Sequence, residues 1–527
     1  MPIRITKDPN KGDNRRSSNP GATRGRRMQG GAGAGMGNLA AFLPLVMKMF
    51  SKKPKMLIGL IVVGAILFFV VGRGGCSVGD IANKAKDMFF NKGANLSPDE
   101  YAKAEIFEPL ADNVNNPLPE KYSLLKYAPK RLNQGKQGSC VGWASSYAAR
   151  TILYAKETGK NPNQVAFSPS FLYNQIALTD CQGSYLIKAM ESLKNVGDLP
   201  FRDFKYDEST CANEPSSAEK SRAAQYKMKG FNRLSKGDDP KSVDMLAIKQ
   251  NVAQGAPVVI GMMVGGSFMQ DMMGKDAWIP NNSDLDARGF GGHAMCVIGY
   301  DDYKFKEEGG FEIMNSWGND WGKNGVAWVP YSYFNHFTKE AYGVYPMGNS
   351  KKEASRFAAN IGLKIYNSSD YISIQHKSGN TFVTNSPINV GTRFKLEFTN
   401  SIECYTYVFG MESDNSSYNL FPYTPKHSPY CGIVGTRVFP REESFEADNI
   451  GNKDYMAIVV TKKPINYKAI NDKINQSSAA TYEGKIKEAL GYDLVENLFF
   501  KGGKLASFET PTNGKNAVAI VLEIEKQ

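Results

Sequence analysis

The sequence predicts an α+β protein in three parts: one N-terminal transmembrane helix, a two-lobed domain, and a β-sandwich-like domain. Three observations carry this. Residues 56–72 form an uncharged apolar run at the lower limit of a bilayer crossing. Residues 117–347 place helical patterns first and strand patterns later, which suggests an α+β unit with two lobes. Residues 350–527 show short alternating strands interrupted by two helical patterns, at 466–475 and 481–490.

The chain has 527 residues, 42% of them hydrophobic and 22% charged, an ordinary globular balance. Its formal net charge is +12. Residues 1–55 hold twelve Lys and Arg against Asp8 and Asp13, so ten of those charges lie there. The remainder is nearly neutral, which excludes a nucleic-acid footprint on the body. The seven cysteines are too few for a disulfide-only scaffold. His293, His336, His376 and His427 lack zinc-ligand spacing. Neither metal nor cofactor is expected.

In chain order, residues 1–55 read as a disordered basic tail. Leu39 to Phe50 is too short to span a bilayer and suits an interfacial helix. Met56 to Gly72 is bracketed by Lys55 and Arg73. The Lys/Arg imbalance places the N-terminus in the cytoplasm and everything after Arg73 in the periplasm or outside. No signal-cleavage pattern follows. Residues 73–116 read as a stalk. Within it, Ser97-Pro98-Asp99-Glu100 has the form of a capping box, which predicts a helix over roughly 98–111. That helix is a spacer or a cover for an active-site cleft.

The chemistry starts at Asn133-Gln134-Gly135-Lys136-Gln137-Gly138-Ser139-Cys140, a glycine-punctuated turn. A helical pattern, 140–158, begins at the cysteine. A thiol in a helix's first turn lies at the positive end of the macrodipole, which favours the nucleophilic thiolate. Such a nucleophile needs a base and a group to orient that base. His293 opens an apolar strand after two glycines. Asn315 closes another strand and can aim its carbonyl at an imidazole N–H, with Trp317 shielding that bond.

Together these stretches resemble the papain-like cysteine peptidases, in a bacterial membrane-anchored form with a C-terminal peptidase-associated β-domain. Gln134 through Cys140, His293-Ala294, Asn315-Ser316-Trp317-Gly318 and Trp321-Gly322 carry the resemblance. It implies Cys140 as nucleophile, His293 as acid/base partner and Asn315 as its orienter. It implies Gln134 and the Cys140 N–H as the oxyanion hole. In such a pair Cys140 and His293 are expected largely as thiolate and imidazolium, since each stabilises the other's charge. It places Gly183, Ser184, Tyr185 and Trp317 along the substrate. It also implies a Cys181–Cys211 disulfide; Cys404–Cys431 is expected as a second pair.

Gln137 stands where the family usually has a cysteine, and no recognisable inhibitory propeptide precedes the domain. The function expected is hydrolysis of peptide bonds in protein or peptide substrates outside the cytoplasm, by an enzyme tethered to the inner membrane. An envelope protein is a candidate partner for the C-terminal domain, and nucleic acid is not. A silent papain-fold scaffold and an acyl-transferring cross-linking enzyme are the competing readings.

Overall fold

The computed structural model describes residues 4–8, 92–111, 117–345, 356–496, 498–501 and 504–527. The expected transmembrane helix at 56–72, the interfacial helix and Cys76 lie outside these residues. Among the described residues no helix is long and apolar enough to cross a membrane.

The helical lobe forms around one continuous run, built from Cys140–Gly142, Trp143–Arg150 and Thr151–Thr158. Its middle third has the wider π-type turn. Every residue from Cys140 to Leu153 is buried, the mark of a helix surrounded on all sides. Gly159 ends the run in the left-handed region at φ 68°, where a glycine carries no Cβ penalty. Helices Pro169–Ile176 and Leu186–Asn195 pack against it through Leu172, Ile187 and Met190. Ser168 caps the first of these by accepting the Phe171 N–H.

The second lobe is a seven-stranded antiparallel sheet. With β1 kept for Arg4–Lys7, its strands are β2 (Lys121–Ser123), β3 (Phe231–Arg233), β4 (Val258–Val264), β5 (Gly291–Asp301), β6 (Gly310–Met314), β7 (Val326–Pro330) and β8 (Thr338–Val344). Their order is β3-β8-β4-β5-β6-β7, with β2 on β5. The two central strands are buried along nearly their whole length. His293 stands opposite Met262 in the β4–β5 ladder, so the sheet's best-paired strands hold it.

Beyond residue 356, two sheets share one core. Phe357, Phe394 and Phe508 from one sheet pack with Phe382, Ile458 and Ile520 from the other. Helices Tyr467–Gln476 and Tyr482–Leu490 cover the far face of the second sheet through Ile474, Ile486 and Leu490.

Three expectations need correction. The helix expected over roughly 98–111 is only Pro98–Tyr101. Ser97 Oγ accepts the Glu100 N–H as a cap should. The Ser97 N–H, however, goes to Glu340 Oε1 at 2.9 Å, and Glu100 pairs with Lys103. A tertiary partner has replaced the second half of the capping box, and the chain then runs extended.

Cys404 and Cys431 are direct cross-strand partners, yet both are buried free thiols. Their sulfurs share Thr406 Oγ1, at 3.9 and 3.6 Å. Adjacency in the ladder therefore did not become a bond.

The tail expected to be disordered contains β1. It pairs antiparallel with Glu443–Glu446 at the edge of the first C-terminal sheet. Asp8 fixes the end, its carboxylate accepting from Arg393 Nη2 (2.9 Å), Lys395 Nζ (2.6 Å) and Ser444 Oγ (2.6 Å). Composition averaged over fifty residues hides a four-residue strand with an anchoring carboxylate.

Thr6 and Ser444 are register partners. In a Thr6→Cys/Ser444→Cys chain, oxidation should give a cross-linked monomer on a non-reducing gel. A dimer band would move the pairing between copies, and no cross-link would remove it.

Candidate active site

Cys140, His293 and Asn315 come from three elements that meet between the lobes. Cys140 is the first residue of the long helix. The Ala294 N–H, one residue beyond His293, points at its sulfur from 3.4 Å. Asn315 directly follows β6. Asn315 Oδ1 accepts the Ser316 N–H at 2.7 Å, which fixes the orientation of the amide. It therefore faces His293 Nε2 as an acceptor, at 2.8 Å, and Nε2 must carry the proton. Nδ1 is then the basic nitrogen; it is buried and has no protein partner. Trp317 stacks on the imidazole, with centroids 4.3 Å apart and planes 26° apart, and covers the His293–Asn315 bond.

Gln134 is fully buried. Its Oε1 accepts from Ser316 Oγ at 2.6 Å, and its Nε2 donates to the Gln137 carbonyl at 2.9 Å. The first bond turns the amide so that its nitrogen lies on the side of the Cys140 turn. Gln137 donates from Nε2 to the carbonyls of Thr210 (2.9 Å) and Asp207 (3.3 Å). Two hydrogen bonds thus tie the turn to this loop from the position where a half-cystine is usual. Cys181 and Cys211 are joined by a disulfide.

The cleft is filled by the chain itself. Residues 92–96, the strap, lie along it with Ala94 as the parallel partner of Ser184. Ser184 N–H donates to the Gly93 carbonyl (2.8 Å), Asn95 N–H to the Ser184 carbonyl (2.9 Å) and Ala94 N–H to the Gly292 carbonyl (3.2 Å). Leu96 packs over Gly261 and Gly292. The backbone of Ser184 therefore holds strap, while Tyr185 is half-buried beside it. A Cβ on Gly93 would lie 1.9 Å from the Gly138 carbonyl oxygen, so only glycine passes there. The Gly93 carbonyl is already engaged by the Ser184 N–H.

This changes the electrostatics expected of the pair. Burial pushes the Cys140 thiol up to about 12, against the pull of N–H groups from Ala294, Gly93 and Val141. Burial, helped by Lys92, pushes His293 down to about 4, although its bond to Asn315 acts the other way. In the closed state the site is a neutral thiol beside a neutral imidazole, which corrects the thiolate–imidazolium expectation. Desolvation disfavours both charged forms and outweighs the helix start.

Sequence reasoning missed the strap residues Gly93, Ala94 and Leu96, and also Ser316 and Glu340. Lys92-Gly93-Ala94-Asn95-Leu96 carries no period or motif. Its only signal was position, just before a cap and upstream of a nucleophile.

A family model described as "Papain family cysteine protease" matches residues 125–347. An uncharacterized peptidase C1-like protein, L477, of Acanthamoeba polyphaga mimivirus is 28% identical over 221 residues, 40% of this chain and 68% of that protein. Cathepsin K of Mus musculus is 28% identical over 206 residues, 38% of this chain and 56% of that protein. Among solved structures, xylellain, a cysteine protease from Xylella fastidiosa, is 21% identical over 50% of this chain and 97% of its own, with a TM-score of 0.40. Digestive procathepsin L 3 of Tenebrio molitor larval midgut is 16% identical, covering 50% and 78%, with a TM-score of 0.38.

The matched region is a papain-family cysteine peptidase domain. The chain is accordingly a cysteine-type peptidase, a hydrolase.

Unfolded histidine titrates near 6.5, whereas folded His293 does so near 4. Between those values the unfolded chain binds the extra proton, so acidification from about 6.5 to about 4 removes stability. His293→Gln should lack this part of the loss. Denaturant midpoints measured across that range should converge as pH falls; parallel profiles would mean that His293 is not buried neutral.

Proposed function

We propose that this chain is a latent protease that hydrolyses peptide bonds through Cys140, His293 and Asn315 once the strap leaves the cleft. The observation that carries the reading is the His293–Asn315 bond. It leaves a partnerless basic nitrogen on the imidazole next to the residue whose N–H faces the Cys140 sulfur.

With the strap gone, water and substrate dipoles return to the site and the desolvation penalty falls. The Cys140 proton passes to His293 Nδ1, and the sulfur attacks the substrate's carbonyl carbon. The oxyanion takes hydrogen bonds from the Cys140 N–H and Gln134 Nε2. The C–N bond breaks as Nδ1–H protonates the leaving amine. Water, deprotonated by the same nitrogen, then cleaves the thioester and restores the thiol. Asn315 holds the ring throughout. Ser184 offers the substrate backbone the same N–H and carbonyl that now hold the strap.

We place this activity outside the cytoplasm of a bacterial cell, with residues 56–72 as the membrane attachment. The Cys181–Cys211 disulfide supports an oxidising compartment.

Gly93→Ala should expel the strap through its clash with Gly138. In this variant an epoxysuccinyl thiol probe should label Cys140, and peptidase activity should appear; a folded variant that stays inert would remove the reading. In the same opened background, Gln134→Ala should lower kcat roughly 10²–10³-fold. Asn315→Ala should slow turnover without abolishing labelling, whereas Cys140→Ala should abolish both.

A further inference from the structure

The strap is weakly held where it does its work. Five residues are fixed in the cleft against a few backbone hydrogen bonds, and the ordering cost of five residues is of the same size as that gain. Its security comes from the chain on its C-terminal side. Tyr101 is fully buried, and its hydroxyl donates to the Ala341 carbonyl at 2.9 Å. Residues 105–111 then run extended between the peptidase domain and the C-terminal domain.

On the peptidase side, Arg233 N–H donates to the Glu105 carbonyl (2.8 Å) and Phe107 N–H to the Arg233 carbonyl (3.0 Å). The Gln250 amide meets both backbone groups of Leu110. On the other side, Ile106 N–H donates to the Lys426 carbonyl (2.7 Å), Ser428 N–H to the Ile106 carbonyl (3.0 Å) and Ala111 N–H to the Thr436 carbonyl (2.7 Å). Ser428 Oγ donates to Glu105 Oε2 at 2.9 Å. Arg437, fully buried, reaches across to donate from Nε to the Glu108 carbonyl at 3.1 Å. The same guanidinium is fixed within its own domain by Asn400 Oδ1 and the Ile433 carbonyl.

We propose that the C-terminal β-domain is the latch of this peptidase: it clamps residues 105–111 and so keeps residues 92–96 in the cleft. The proposal rests on the reading that the strap closes a competent Cys140 site. Ile106, Phe107 and Glu108 are all buried by this arrangement, and without the C-terminal domain one flank of the segment would face water with unpaired backbone groups. Release is built in as well. Glu108 Oε1 is buried without a partner, a penalty that leaving the clamp relieves. A cavity of about 980 Å³ opens beside the clamp, lined by Ile106–Pro109 on the segment and by Tyr418, Tyr423 and Arg441 on the domain. The segment can move into that space without the two cores unfolding.

The test measures the rate of epoxysuccinyl labelling of Cys140 in the full, reduced chain. Ala111→Pro deletes the N–H bonded to Thr436, and Glu105→Ala deletes the acceptor of Ser428; both changes lie on the strap segment and leave the domain cores intact. Arg437→Gln is the domain-side counterpart, with Arg437→Ala added if it fails to fold. Combining Ala111→Pro with Glu105→Ala should speed labelling roughly tenfold or more, and Arg437→Gln should speed it several-fold. In a Gly93→Ala background, where the cleft is already open, these substitutions should add nothing. If Gly93→Ala labels fast while folded latch variants stay as slow as wild type, the latch is wrong and strap occlusion stands. If neither kind of variant labels, the competent-site reading fails and takes the latch with it.

Discussion

The hydrogen bond between His293 Nε2 and Asn315 Oδ1 decides what the rest of the site can do. The Asn315 oxygen is pinned by a backbone N–H from Ser316, so it cannot exchange places with the amide nitrogen without losing that bond. The imidazole is therefore held in one tautomer, with its basic nitrogen free of protein partners. Everything nearby maintains this. Trp317 roofs the bond, Ser316 turns Gln134, and β5 holds His293 near its start, paired with β4. The helical lobe contributes the Cys140 sulfur, at the start of a helix buried on every side.

The same burial that protects the geometry opposes the chemistry. A thiol pushed up to about 12 and an imidazole pushed down to about 4 do not exchange a proton readily. Local dipoles favour the charged pair, and desolvation outweighs them. A short stretch of extended chain is enough to shift that balance, because it excludes water and fills the cleft with backbone. Closure in this protein is thus an electrostatic state as well as a steric one.

The grouping of Cys140, His293 and Asn315 was legible because these residues lie in short, dense blocks with distinctive neighbours. Cys140, His293, Asn315 and Gln134 all stand in such blocks, and the strands that carry His293 and lead into Asn315 have strong apolar patterns. The two helices within the C-terminal domain also show in the sequence, within about one residue of Tyr467–Gln476 and Tyr482–Leu490. Legibility ended where partners are distant in sequence. Ser97 and Glu100 wrote half of a capping box, and Glu340, more than two hundred residues away, took the other half. Residues 92–96 and 105–111 owe their conformation to surfaces on both sides and carry no pattern of their own. Cys404 and Cys431 show the converse: the ladder brings them face to face, and proximity alone did not settle their oxidation state.

The docking of β1 gives residues 9–91 an unusual mechanical status. Both ends of this stretch are fixed to the same body, one by the Asp8 carboxylate and the strand before it, the other by the strap in the cleft. A cut anywhere between them opens a loop without shedding either end. The N-terminal fragment stays bound by its strand, the peptidase keeps its strap, and the nicked protein keeps the mass and the silence of the intact one. Maturation by proteolysis would therefore have to reach past residue 91.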